Sequence, residues 1–155
     1  EMCIRDRAKG TKISFDVADP FAVERNRDAF LEVIGESDIV FANEQEAHML
    51  YQSSPEDTAA RIAEGGAVAC IKLGAKGALI HDGSKVLHIG AEETQVIDTT
   101  GAGDMFAAGF LFGYCMGEPL ETAGKMAAKT AADVISRMGA SVSARTIDAV
   151  KGLRS

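Results

Sequence analysis

The sequence has only three cysteines, Cys3, Cys70 and Cys115, and they lie far apart along the chain. No Cys-x-x-Cys pair and no histidine-rich neighbour accompany them, so the spacing indicates neither a zinc site nor a disulfide framework. Isolated thiols of this kind are typical of a reducing compartment. We therefore predict a cytoplasmic protein.

Long apolar runs and an excess of basic charge are also lacking. The most apolar run, residues 105–116, is about half the length needed to span a bilayer, and Asp104 and Glu118 flank it. The opening residues contain no apolar segment of the kind that an export signal needs. The formal net charge of −7 is spread along the chain, which argues against nucleic acid and membrane as partners.

What is present is typical of one globular domain with a sizeable core: 155 residues, of which 46% are apolar and 25% charged. Apolar and polar residues alternate over 11–17, which predicts a strand that ends near Asp16, whereas Ser54-Pro55 and Gly65-Gly66 bound a helix. The predicted strands are 11–17, 38–43, 67–74, 94–97 and the two arms of a hairpin at Asp82-Gly83. The predicted helices are 19–35, 44–52, 54–66, 105–116, 119–138 and 143–150. This alternation predicts an α/β sandwich with a mainly parallel sheet.

Polar and glycine residues follow several of the predicted strands. Asp16, Asn43, Gly74 and the segment 98–104 all stand at such positions. Ligands of open α/β sheets bind beyond the carboxyl ends of the strands, so we expect these residues to share a site.

The segment DTTGAGD, residues 98–104, carries the most chemistry. Glycines 101 and 103 remove side chains from a turn before a helix, so that backbone N–H groups can approach an anion. Two better-known glycine motifs are excluded, because Phe106 stands where G-x-G-x-x-G needs its third glycine and no G-x-x-x-x-G-K-[ST] occurs. Asp104 is either the N-cap of the following helix or a general base beside the anion hole. Two threonines and a second aspartate are not needed for a cap, which favours the base.

The stretch DTTGAGDMFAAGFLFG resembles the second signature of the ribokinase-like carbohydrate and nucleoside kinases, the phosphofructokinase B type. ANEQE resembles the N-x-x-E element of that family, and IKLGAKGALI resembles its strand and Gly-x-x-Gly turn. The resemblance covers residues 12–153 and implies the C-terminal, ATP-binding part of a three-layer α-β-α sandwich. It implies ATP, Mg²⁺ and a small-molecule nucleoside or sugar as ligands, and it says nothing of the oligomeric state.

The resemblance assigns the reacting groups. Asp104 would be the general base, and Gly101, Ala102 and Gly103 would form the anion hole. Asn43 and Glu46 would organise Mg²⁺ and the phosphates, Glu46 through water. For Glu46 alone, a solvated carboxylate on a helix face is the alternative.

Further residues have a binding role only by resemblance. Lys72, Leu73, Gly74 and Gly77 would pass close to the nucleotide, although a plain strand turn also explains the glycines. Helix residues 127–132, with Ala128 among them, would line the adenine pocket, or would simply pack against a neighbouring helix.

A monovalent cation, K⁺, is also implied by the resemblance. Asp98 and Thr100 would hold it, with the RMGAS segment 137–141 as the partner loop. A polar-capped turn is the alternative explanation of both residues.

Within the family, residues 14–47 are most similar to adenosine kinase and its bacterial relatives, and they lack the D-x-N-x-R pattern after Asp16. The first hypothesis is therefore an ATP-dependent kinase acting on a hydroxyl of adenosine or a related ribosyl compound. The alternatives are a sugar kinase of ribose or fructose type, and a nucleotide-binding fragment without catalysis.

The opening of the chain has an unusual feature. MCIRDR, Met2 to Arg7, can be encoded by a transposase adapter that is used in preparing sequencing libraries. We therefore expect residues 1–7 to be non-native and residues 8–155 to be the C-terminal portion of the kinase domain.

Overall fold

The computed structural model describes residues 10–154, so the expectation for residues 1–7 lies outside the described part. The chain divides into two compact units. The first holds the described residues up to Leu73 together with Leu79–Leu87, and the second holds Gly74–Ala78 and the described residues from His88 onward.

Strands and helices alternate along most of the chain. The strands are β1 (Ser14–Asp16), β2 (Ile39–Asn43), β3 (Val68–Lys72), β4 (Ala78–His81) and β5 (Val86–Ile89), and a single 3₁₀ turn covers Gly74–Lys76. The helices are α1 (Pro20–Gly35), α2 (Glu44–Tyr51), α3 (Pro55–Glu64), α4 (Ala102–Cys115), α5 (Leu120–Ile135) and α6 (Ala144–Lys151).

The five strands form one sheet in the order β1-β2-β3-β4-β5. β2 pairs in parallel with both neighbours, and the register places Asp16 opposite Phe41 and Asn43 opposite Lys72. The connections from β3 to β4 and from β4 to β5 are too short for a parallel crossover, so these pairs are antiparallel. The sheet is therefore mixed, as the predicted hairpin requires.

The core of the first unit is built on the continuous apolar run of β2. Val40 and Ala42 are completely buried, as are Leu50 of α2 and Ile71 of β3. An unbroken apolar run is typical of a strand that is covered on both faces, and the predicted strand at this segment is confirmed. The start of α3 is also as predicted, because the Ser54 side chain accepts a hydrogen bond from the backbone N–H of Asp57, the third residue of the helix.

The second unit is built around the helix pair α4 and α5. A Cβ placed on Gly109 would stand 2.9 Å from the Cα of Ala127, and one on Gly113 would stand 2.8 Å from the Cα of Ala123. Real Cβ atoms do not approach so closely, so the two glycines are what allows the helix backbones to touch. Phe110, on the same helix, is completely buried.

The predicted strand 94–97 is wrong. No strand among residues 10–154 includes it, and Val96 and Ile97 are more than half exposed. The backbone N–H of Ile97 donates to the carbonyl of Ile135 at 2.8 Å, so it closes the last turn of α5 instead of joining a sheet. A segment of four residues is too short to separate these outcomes.

None of the helices among residues 10–154 combines the length and apolarity that a membrane crossing requires.

Candidate functional site

The first polar cluster lies where β2 passes into α2. The Asn43 side chain accepts a hydrogen bond from the backbone N–H of Glu46 at 2.8 Å. Glu46 in turn accepts from the backbone N–H of Asn43 at 2.7 Å and from its side-chain amide at 2.8 Å. This reciprocal pair is a capping box, which satisfies two N–H groups at the helix start and fixes both side chains in place.

Burial sets the electrostatics of Glu46. Only 3% of the residue is exposed, so a solvated carboxylate on a helix face is excluded. Burial raises the pKa of Glu46, and the backbone N–H of Asn43 and the positive charge of Lys72 offset that rise only in part. The hydrogen bonds from Asn43 fix the position of this carboxylate, which can accept a further hydrogen bond or lie next to a cation.

An ion pair joins the ends of β1 and β3. Lys72 Nζ lies 2.9 and 3.1 Å from the two carboxylate oxygens of Asp16, and both side chains are largely buried. Together with the register of Asn43 opposite Lys72, the pair brings the carboxyl ends of three parallel strands into one polar cluster. The convergence expected for Asp16 and Asn43 is confirmed, and Lys72 joins them.

The two glycines in the turn after β3 have different surroundings. Gly74 has φ +60° and open space around the position of a Cβ. Gly77 has φ +92°, and a Cβ there would collide with the carbonyl oxygen of Ile89 and stand 2.7 Å from the backbone nitrogen of Ala91. Close backbone approach therefore explains Gly77, whereas Gly74 leaves room for a ligand. Leu73 packs against the core of the first unit.

The second polar cluster lies at the start of α4. Gly101 is the N-cap, with φ +77°, and no side chain caps this end of the helix. The N–H of Ala102 donates to the carbonyl of Thr99 at 3.2 Å, and that of Met105 donates to Gly101 at 2.9 Å. Within residues 10–154 the N–H groups between them, of Gly103 and Asp104, have no partner in the chain. Two unsatisfied donors at a helix start are what an anion needs.

Asp104 is not the N-cap. It is the third residue of α4 and is exposed, and its carboxylate makes no hydrogen bond or ion pair with any residue in the described range. The capping explanation of this aspartate is therefore wrong. An unpartnered carboxylate in the first turn, next to two free N–H groups, is geometrically available to a substrate hydroxyl.

Asp98 connects the segment before α4 with the loop after α5. Its carboxylate accepts from the backbone N–H of Thr100 at 2.9 Å and from that of Gly139 at 3.4 Å. The hydrogen bonds from the side chain and the backbone of Thr100 lower the pKa of Asp98. A Cβ on Gly101 would stand only 2.7 Å from the Cβ of Ala140, so the two loops are in close contact. The segment 137–141 is a neighbour of the 98–101 turn, as expected for partner loops.

Asp133 supports that second loop, and nothing in the local sequence pattern indicated it. The backbone N–H and the hydroxyl of Ser143 lie 2.7 and 3.0 Å from its oxygens, and Arg137 donates to it as well. Burial raises the pKa of Asp133, but the hydrogen bonds from Ser143 and Thr146 and the charge of Arg137 outweigh it, so the pKa lies below its ordinary value. Asp133 thereby ties both ends of the loop to α5.

The alanines of α5 divide between packing and the predicted adenine pocket. Ala127 lies against Gly109 of α4 and is completely buried, which identifies it as a packing residue. Ala128 is also buried, at 7% exposure, and its contact with a nucleotide stays a prediction.

The donor set of Asn43 and Glu46 fits a hydrated magnesium ion. Both oxygens of Glu46 already accept hydrogen bonds, so direct coordination would have to displace them. A carboxylate oxygen can accept a second hydrogen bond, however, and Mg²⁺ keeps several of its waters in such sites. Among residues 10–154 no group of three or more His, Cys, Asp and Glu side chains could ligate a metal directly. The fit is therefore to a metal held through water.

Comparison with known proteins identifies the class. Residues 1–147 match the pfkB family carbohydrate kinases, and the chain belongs to this family. The α/β fold class predicted from the sequence is confirmed by solved structures that superimpose with TM-scores of 0.90 and 0.89.

The individual relatives are kinases of nucleosides and sugars. The chain is 37% identical over 147 residues to the cytidine kinase of Thermococcus kodakarensis, covering 90% of this chain and 52% of that protein. The crystal structure of a probable sugar kinase from Rhizobium etli is 38% identical with a TM-score of 0.90, over 97% of this chain and 48% of that one. The adenosine kinase structure from Sinorhizobium meliloti is 36% identical with a TM-score of 0.89, over 97% and 47%. The chain thus spans about half the length of the curated relatives it matches, at 52% and 51%.

Proposed function

We propose that the protein is an ATP-dependent kinase that phosphorylates a hydroxyl of adenosine or a related ribosyl compound. The observation that carries the proposal is the start of α4, where the unpartnered carboxylate of Asp104 stands in the same turn as the free N–H groups of Gly103 and Asp104. An acceptor hydroxyl needs a base, and a transferring phosphoryl group needs positioned donors. Membership of the carbohydrate kinase family and the nucleoside kinases among the relatives support the same reaction.

The second unit carries the reacting groups in this mechanism. Asp104 accepts the proton of the acceptor hydroxyl as its oxygen attacks the γ-phosphorus of ATP, and the bond from that phosphorus to the β–γ bridging oxygen breaks. The turn 101–103, with the free N–H groups of Gly103 and Asp104, stabilises the charge that develops on the transferred group. Donors of this kind are typically worth about 10²–10³ in rate each.

The polar cluster at the start of α2 is assigned to the metal and the phosphates. Asn43 and Glu46 would hold Mg²⁺ through its water ligands, and Lys72, which is paired with Asp16, would lie close to the nucleotide. The metal neutralises charge on the phosphates when it is bound. Gly74 leaves the backbone open to the nucleotide, and Ala128 contributes to the adenine pocket.

The loop pair near Asp98 is the proposed monovalent cation site. Asp98 and Thr100 would provide oxygen ligands there, with the neighbouring loop 137–141 as the partner loop. A dependence of turnover on K⁺ that is absent with Na⁺, and is lost in Asp98→Ala, would support this assignment. Equal turnover in K⁺ and Na⁺ would contradict it.

Asp104→Asn in the full-length protein tests the mechanism. Because only the general base is removed, we expect kcat to fall by roughly 10²–10⁴ while ATP affinity stays within about twofold. Asp148→Asn, at an exposed aspartate of α6, is the matched control and should leave turnover unchanged. Near-normal turnover of Asp104→Asn would contradict the assignment of Asp104 as the general base.

A sugar kinase is the second candidate, since the probable sugar kinase from Rhizobium etli matches this chain as well as the adenosine kinase does. Initial rates with adenosine, cytidine, ribose and fructose decide between the two. A higher kcat/KM for either nucleoside supports the first proposal, and a higher value for either free sugar replaces it. ATP binding without transfer to any of the four would favour a binding protein without catalysis.

A further inference from the structure

Buried polar side chains are few among residues 10–154. They belong to Ser37, Glu46, Thr58 and Thr130. A buried hydroxyl needs a hydrogen-bond partner, and a threonine inside a helix ordinarily finds one in a carbonyl of the preceding turn. The partners of the two threonines are therefore informative.

Thr130 bonds to another helix although its own helix offers acceptors. Its Oγ1 lies 2.7 Å from the carbonyl oxygen of Met105 on α4, nearer than the carbonyls of Met126 and Ala127 on its own helix at 3.1 and 3.0 Å. Gly109 leaves the space through which the hydroxyl reaches α4. Met105 directly follows Asp104 in the sequence.

Thr58 repeats this arrangement in the first unit. Its Oγ1 lies 3.2 Å from the carbonyl oxygen of Ala47 on α2, and Thr58 is completely buried. Ala47 directly follows Glu46. Glu46 and Asp104 are each the third residue of their helix, so both threonines bond the carbonyl of the fourth.

We propose that Thr130 and Thr58 are positioning residues, each of which holds the first turn of the helix that presents Asp104 or Glu46. The first turn of a helix is its loosest part at the N-terminal end, because its N–H groups have no partners within the helix. A hydrogen bond from the interior of a packed neighbouring helix fixes that turn without touching the carboxylate. The inference rests on the proposed function, since it takes the two carboxylates as the working groups.

The test uses Thr130→Val in the full-length protein, with adenosine or whichever acceptor proves active. A displacement of about 1 Å at a reacting group costs on the order of 10²-fold in rate, so we expect kcat to fall about 10- to 100-fold with KM for ATP within about twofold. Thr130→Ser keeps the hydroxyl and should restore kcat to within about threefold of the wild type. Thr122→Val is the matched control on the same helix and should leave kcat unchanged, because the described structure gives that hydroxyl no hydrogen bond.

Thr58→Val should change a different parameter. We expect the Mg²⁺ concentration for half-maximal rate and the KM for ATP to rise about 3- to 10-fold with a smaller change in kcat, and Thr58→Ser to reverse the effect. Thermal unfolding of every variant separates loss of position from loss of fold. If Thr130→Val does not fold, Thr130→Ala replaces it.

Two results would overturn the inference. One is wild-type kcat in folded Thr130→Val, and the other is a loss of activity in Thr130→Val that Thr130→Ser shares. Failure of the proposed function gives a different pattern, since Asp104→Asn would then retain turnover. An inactive Asp104→Asn beside a fully active Thr130→Val rejects the positioning role alone.

Discussion

Replacement of Gly101 by alanine tests whether the two loops beside α4 depend on their close contact. Gly101 has φ +77°, and so does Gly117, which lies in open space after the same helix. An alanine in this left-handed conformation costs roughly 1–2 kcal/mol at either position. At Gly101 alone the new Cβ also meets the Cβ of Ala140 at 2.7 Å.

The extra cost follows from that distance. Carbon atoms in contact ordinarily lie about 3.5–4.0 Å apart, so the loops must separate by about 1 Å. Overpacking of this kind costs about 1–3 kcal/mol, which we expect Gly101→Ala to show beyond the loss measured in Gly117→Ala. The same displacement moves the N–H donors of the proposed anion hole, so kcat should fall on the order of 10²-fold in Gly101→Ala only.

The assay combines urea denaturation with initial rates for both single variants and for the double variant Gly101→Ala, Ala140→Gly. The second substitution removes the methyl group that the new Cβ meets, so the double variant should recover the contact term and retain the cost of the backbone conformation. Equal destabilisation in Gly101→Ala and Gly117→Ala, or no recovery in the double variant, would refute the reasoning.

Three further predictions concern the supports of the two clusters. Gly109→Ala should lower the free energy of unfolding by up to about 2 kcal/mol in urea denaturation, because a clash with α5 of about 1–3 kcal/mol exceeds the gain in helix propensity of about 1 kcal/mol. A stabilised variant would contradict the packing. Asp133→Asn should be less stable than the wild type at pH 7, and because the folded pKa of Asp133 is lowered, the difference should shrink as the pH falls below the ordinary value of 3.8. A difference that grows on acidification, or one that Ser143→Ala does not share in part, would be inconsistent with this network. Asn43→Ala and the cap variant Ser54→Ala should each lower the free energy of unfolding by about 1 kcal/mol, but only Asn43→Ala should raise the KM for ATP. Equal KM values in the two variants would mean that Asn43 acts only as a helix cap.

The strength of each local pattern explains which elements could be predicted from the sequence. The apolar run of β2 and the Ser54-Pro55 start of α3 are local signals, and both are found where expected. The prediction of a strand over 94–97 was wrong because four residues do not specify a pairing partner, and the backbone N–H of Ile97 instead donates to Ile135 at the end of α5.

The candidate site divides in the same way. Asn43, Glu46 and Asp104 stand in contiguous motifs and could be chosen as candidates from the sequence. The sequence did not predict that Asn43 and Glu46 form a capping box whereas Asp104 does not cap its helix. Asp133 acts through Ser143, ten residues away, and no periodic pattern carries such a contact. An alanine or glycine in a helix likewise does not show from sequence alone whether it packs against another helix, because that depends on where the opposing backbone lies.

The pairing of α4 with α5 bears on how the protein folds. Only Met116–Pro119 separate the two helices, so their many contacts are close in sequence and the loop they close is short. Contacts of this kind form early, because little chain entropy is lost in making them. The turn that carries Asp104 would then be set against α5 in the folding nucleus, and substitutions at Gly109 or Gly113 should slow refolding more than they speed unfolding.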